Sequence, residues 1–152
     1  MKIRRTLEQQ KIKSLYQLTS TISDDETKAH MVKYLCVQSS GYLENVVKSL
    51  IEEYIDKSCP KPVVNFIRKK VNRLTNLEYD KLCDFLDSFN SDWKNTFCKS
   101  ISEEQVSALK SIVTQRNAIA HGNPSNMTFL MMRSYFLNLE EIVILLESII
   151  KK

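Results

Sequence analysis

The final stretch of the chain constrains its fold more than any other. Over residues 128–150, apolar side chains recur at helical spacing on more than one side. Leu130, Tyr135, Phe136, Leu139, Val143, Leu146 and Ile150 cover one side, and Met131, Ile142, Leu145 and Ile149 cover much of another. A helix this apolar around its circumference needs cover from several directions. It is either central to a bundle or partly exposed to a second subunit, so dimerisation is expected from this segment alone. Its longest unbroken apolar run, 142–146, is far too short to cross a bilayer.

The rest of the chain must supply that cover, and it has few turn residues with which to do so. Two Gly and three Pro in 152 residues leave little room for the tight turns of an antiparallel sheet. Long helices with brief connections are the alternative. With 43% apolar residues the chain can fill one core. The expected fold is an all-α, up-and-down bundle of five to six helices with long second and last members. It forms one domain over 1–152, divided into an N-terminal helix and connection (1–24) and a core bundle (25–150).

Periodicity and capping residues place the elements. Ile3, Leu7, Leu15 and Leu18 give a first helix over 3–18, with Arg4, Arg5, Lys11 and Lys13 on its wet side. A polar connection with N-cap material follows. The second helix, 26–56, carries Met31, Leu35, Tyr42, Val46, Leu50 and Tyr54 on one stripe and Glu44, Lys48 and Glu52 on another face. Gly41 within it marks a close helix approach, a kink or nothing in particular, and Ser39-Ser40-Gly41 is the natural place for a break. After Cys59-Pro60-Lys61-Pro62 a third helix spans 63–74, and Thr75 with Glu78 reads as a capping box for a fourth over 76–89. Residues 90–101 read as irregular or a turn or two of helix, with Trp93 and Phe97 plugging the bundle's end. Ser102 with Gln105 opens a fifth helix over 103–120, which Gly122 can cap and Pro124 stops.

Charge and cysteines narrow the chemistry. A net charge of +4 tolerates an anionic partner without demanding one. Arg68, Lys69, Lys70 and Arg73 form the densest basic cluster, a candidate RNA-binding patch, although a charge run is more often a solvated face. Cys36, Cys59, Cys83 and Cys98 contain no close pair, and nothing completes a ligand set around His30. Free thiols in a reducing compartment, with no metal or other cofactor, are the expectation. The N-terminus lacks a signal peptide's apolar centre, so the expected location is the cytoplasm, with no membrane partner.

The segment Gln115 to Gly122, QRNAIAHG, holds the candidate site. Arg116 lies within about 40 degrees of both Leu109 and Ile112 around the helix, on or beside the apolar stripe. A guanidinium there needs a carboxylate, capping carbonyls or an anion. An arginine snorkelling from the last turns, or pairing with a structural carboxylate, is the plainer alternative. His121 falls about 140 degrees from Arg116 in regular helix. The two converge only if the helix tightens or ends near Ala120, or if a second subunit brings its own pair alongside. Asn117, four residues before His121, is placed to orient the imidazole. For His121 the plainer alternative is a helix C-terminal cap, and His30, without such companions, is expected to be structural or exposed. Histidine moves protons near neutrality and arginine presents a charged fork to a phosphate, so the pair suits phosphodiester cleavage. RNA, whose 2'-hydroxyl is a built-in nucleophile, suits chemistry without a metal.

Arg116, Asn117 and His121, at the end of a bundle helix and followed by Gly-Asn-Pro and a very apolar helix, resemble the HEPN superfamily (higher eukaryotes and prokaryotes nucleotide-binding). Its hallmark is Arg, four to six residues, then His, often with a polar residue directly after the arginine. Ser39-Ser40-Gly41-Tyr42-Leu43-Glu44 is similar to the early long helix of the RiboL-PSP-HEPN branch, and the likeness covers about 25–150. The resemblance implies a metal-independent endoribonuclease that leaves a 2',3'-cyclic phosphate, and a homodimer that brings two motifs to a shared cleft. It also implies a setting in toxin-antitoxin or antiviral defence, with an antitoxin or companion protein as partner. By that likeness Arg116 holds the scissile phosphate, His121 serves in proton transfer and Asn117 positions them. Some such toxins are silenced at a tyrosine two residues after the histidine, where this chain has Asn123. The alternative is a non-catalytic RNA-binding or protein-interaction module.

Overall fold

The computed structural model describes residues 2–150. Among them are seven helices and no strand: α1 Lys2–Ser20, α2 Asp25–Ser58, α3 Lys61–Val71, α4 Tyr79–Phe89, α5 Ser91–Ser100, α6 Glu103–Ala120 and α7 Phe129–Ile150. The all-α bundle with long second and last helices is therefore present, with seven helices rather than five or six.

Side-chain contacts give the helix directions. Arg5, early in α1, meets Ser49 at 2.9 Å and Glu53 late in α2, and Glu147 late in α7 at 3.4 Å. Tyr16, near the end of α1, shares a hydrogen bond with Ser39 at 2.9 Å and stacks on Phe136 at 4.7 Å. Thus α2 and α7 run parallel through the centre, with α1 antiparallel to both. Helix α6 packs on α2 and α7 and returns antiparallel to α7, its start tied to α7 by a 2.8 Å bond from Gln105 to Glu141. The unit α3–α5 gathers around the C-terminal end of α2, where Arg68 reaches Asp56 at 3.2 Å and Trp93 meets Tyr54 edge-on at 4.9 Å.

The core runs through α2 and α7, with Leu35, Val46, Leu50, Ile51, Leu139, Ile142 and Leu146 almost wholly buried. Burial of such side chains is worth roughly 1.5–3 kcal/mol each against exposure, and it holds the bundle together. Caps define the ends of the elements. Asp24 accepts from the Thr27 amide at 2.8 Å, and the Thr27 hydroxyl together with that amide holds its carboxyl below the usual carboxylate range. Ser102 and Gln105 complete both halves of the expected capping box, at 3.2 and 3.0 Å.

Several sequence expectations are corrected. Helix α2 continues unbroken through Ser39-Ser40-Gly41. A Cβ at Gly41 would meet nothing within 4 Å, so the glycine marks neither a break nor a close approach. The inner face of α1 is Arg5, Ile12, Tyr16 and Thr19, while Leu7 and Leu18 are exposed. Arg5 and Tyr16 turn inward because α2 offers them partners, and Thr19 because its hydroxyl donates to the Leu15 carbonyl of its own helix; the side chains of Ile3 and Arg4 lie outside the described residues. Helix α3 starts at Lys61 and ends at Val71, not over 63–74. The Thr75–Glu78 box does not form. Glu44, half-buried rather than on a wet face, takes the Asn76 amide at 2.7 Å and holds Asn76 at a left-handed φ of 52°. That delays α4 to Tyr79. Residues 91–100 form a full helix, because Asn90 caps it from Oδ1 at 2.8 Å and burial of Trp93 and Phe97 anchors one face.

Candidate active site at the end of α6

Helix α6 stops inside the motif. His121 is its cap residue, and its amide donates to the Asn117 carbonyl at 3.1 Å. Gly122 turns left-handed at φ 70°. Its amide donates to Ile119 O at 3.1 Å, and the Asn123 amide reaches Ala118 O at 2.8 Å. This pair of bonds is a Schellman motif, which satisfies the last carbonyls of the helix. Ser125 then donates its hydroxyl to Gln115 Oε1 at 2.8 Å and folds the connection back along α6. Helix α6 thus ends at Ala120, inside the motif and before the imidazole.

Arg116 is half-buried, and its Nη1 donates to Asn117 Oδ1 at 3.2 Å. Among the described ion pairs no carboxylate meets it. A guanidinium has five N–H donors, so most of its binding capacity remains for another acceptor. Beside it on α2 is Cys36, whose thiol donates to Ile112 O at 3.5 Å. Burial pushes that thiol up to about 11, against the opposing pull of the Arg116 charge. His121 is exposed.

Asn117 serves both residues through different atoms. Its side-chain oxygen takes Arg116, and its backbone carbonyl takes the His121 amide. It therefore fixes the fork and the cap, and its amide oxygen is engaged by the arginine rather than the imidazole.

Cations missed in the sequence stand on the same end of the bundle. Lys28 Nζ lies 5.0 Å from the Phe129 ring centroid, and half-buried Lys33 is one turn before Cys36 on α2. Nothing in the local sequence distinguishes them from other surface lysines. His30 is exposed.

The basic cluster on α3 is not brought to this site within one protomer. Arg68 is engaged by Asp56 and, at 3.6 Å, by Glu52. Sixteen residues of α2 separate Glu52 from Cys36, or about 24 Å of helix. Lys69, Lys70 and Arg73 are exposed at that far end.

Helix α7 also departs from its expected faces. Met131, expected on a covered side, is 41% exposed, and Leu130, Leu137 and Ile144 are 74%, 54% and 66% exposed. The last three recur every seven residues and so form one stripe, which begins just beyond the motif loop. Two of the three, Leu137 and Ile144, belong to neither side read from the sequence.

No three His, Cys, Asp or Glu side chains gather into a metal-holding group among the described residues. No helix among them is long and apolar enough to cross a membrane. The family model described as RiboL-PSP-HEPN matches residues 3–152. No match was found among curated proteins or among solved structures.

Proposed function

For a chain that belongs to the RiboL-PSP-HEPN family, we propose a metal-independent endoribonuclease in which two protomers pair to bring two motifs into one cleft. The observation that carries this reading is the half-buried Arg116, held by Asn117 and free of any described carboxylate partner, in the last turns of the helix that the exposed His121 caps. A fixed guanidinium of that kind is suited to a phosphodiester and to the negative charge that develops on it. The 2'-hydroxyl of RNA attacks the adjacent phosphorus, the 5'-oxygen leaves, and a 2',3'-cyclic phosphate remains. Histidine takes part as the group that moves a proton to or from one of these oxygens. Lys28 and Lys33 add positive charge on the same end, for the flanking backbone.

The α7 stripe supports the pairing. Three large aliphatic side chains at heptad spacing offer a self-complementary seam, and parallel pairing about a two-fold axis that runs along α7 would leave both motif loops at the same end of it. The setting we favour is defence or toxin-antitoxin function, in which an unpartnered ribonuclease is toxic.

The test is cleavage of single-stranded and structured RNA in EDTA, with analysis of the new 3' ends. Cyclic phosphate ends are expected, and Arg116→Ala or His121→Ala should lower the rate by about a hundredfold or more with the melting temperature retained. Intact RNA with the wild-type protein sinks the enzyme reading and leaves a helical interaction module.

A further inference from the structure

Helices α3 and α4 enclose a second surface that the ribonuclease reading does not use. An open groove of about 480 Å³ runs between them, with Phe66, Ile67, Val71 and Leu74 on one wall and Phe85 and Phe89 on the other. Phe66, a large aromatic standing at the rim, is 63% exposed. Single exposed apolar residues are ordinary, whereas several converging on one groove mark an interaction site. Lys70 is the sole charged residue of the lining, and its Nζ is 5.7 Å from the Phe66 ring. Lys69 and Lys70 follow Phe66 at i+3 and i+4 and so share its side of the helix. Neither is ion-paired among the described residues, whereas Arg68 is turned to α2 by Glu52 and Asp56.

We infer that this groove docks an amphipathic helix of a partner protein, one with an acidic flank along its apolar face. Each wall is an eleven-residue helix, about 16 Å long, which matches about three turns of an incoming helix. The apolar floor takes anchors at i, i+3, i+4 and i+7. Lys69 and Lys70 then meet carboxylates beside those anchors, and this charge match selects the partner's sign. An RNA strand fits less well, because Lys69 and Lys70 stand together on one rim and no cation on the α4 wall continues a track for successive phosphates. A second copy of the chain placed here would keep the α6 motifs apart, since the groove lies at the far end of α2.

Two synthetic peptides of about fifteen residues test the proposal, with the same Leu/Phe anchors and either Glu or Lys at every other position. Binding is read by amide chemical shifts of the intact protein and by fluorescence anisotropy. The acidic peptide should shift α3 and α4 amides and bind at least about tenfold tighter than the basic one. Phe66→Ala should weaken it by about tenfold or more while leaving RNA cleavage unchanged, and Lys70→Glu should reverse the preference between the peptides. Equal affinity for both peptides, no shifts on α3 and α4, tighter binding of an RNA oligonucleotide to this face, or self-association that Phe66→Ala abolishes would each overturn it. The peptide-binding readouts do not depend on the protein cutting RNA.

Discussion

Replacing Gly122 tests whether the end of α6 shapes the site. At φ 70° the residue sits where an L side chain is disfavoured, by about 1–2 kcal/mol for alanine. A Cβ there would meet nothing within 4 Å, so no clash adds to that cost. Loss of glycine's freedom in the unfolded chain offsets part of it, about 0.4–1 kcal/mol. The net expectation for Gly122→Ala is a destabilisation of about 1 kcal/mol, or about 2–4 °C in Tm for a chain of this size. Asparagine tolerates the left-handed region better, so Gly122→Asn should cost only a few tenths of a kcal/mol. Urea denaturation followed by circular dichroism measures both. Cleavage should fall further in the alanine variant than in the asparagine variant, because the bonds from Gly122 and Asn123 fix the cap at His121. Equal losses for the two substitutions, or a loss above about 3 kcal/mol for alanine, would refute the argument, the second because it requires a clash that the open space excludes.

Leu137→Glu places a charge on the exposed α7 stripe, and analytical ultracentrifugation should show a monomer with cleavage lost and Tm little changed. Tyr42 is raised to about 12, chiefly by burial, so its contribution is complete below the unfolded value near pH 10 and fades as pH rises from there to about 12. Denaturation across pH 9–12 checks this, and Tyr42→Phe should flatten that part of the profile. Burial also pushes the Cys83 thiol up to about 11, and with Cys36 in the same range a thiol reagent at pH 7.5 should label these two cysteines slowly in the folded protein and fully in urea.

What could be read from the sequence depended on whether a residue's role is local. The Ser102–Gln105 box, the stop at Gly122 and the buried stripe of α2 are set by neighbours three or four positions away, and each is found where periodicity put it. Arg116 stood out because a charge fell beside an apolar stripe. Glu44 could not be placed, since its bond to Asn76 joins residues 32 apart. The inward turn of Arg5 depends on α2 and α7 in the same way. The α7 stripe escaped notice because a helix apolar nearly all round does not reveal which side its own bundle leaves bare. Cys83 and Cys98, read as having no near partner, bring their sulfurs to 3.4 Å across α4 and α5. That proximity comes from the packing of two helices, and no spacing motif announces it.

The two polar pins of α1 set its register. Arg5 is bound at one end of the bundle by Ser49, Glu53 and Glu147, and eleven residues later Tyr16 is bound by Ser39. An apolar helix face can slide by a turn and still find grease beneath it. This one cannot, because a shift of about 5.4 Å would strand a guanidinium and a phenol together in a dry interior, and an orphaned buried charge costs about 3–5 kcal/mol. The first helix thus works as a two-pin key, admitted to its slot on α2 and α7 at a single depth.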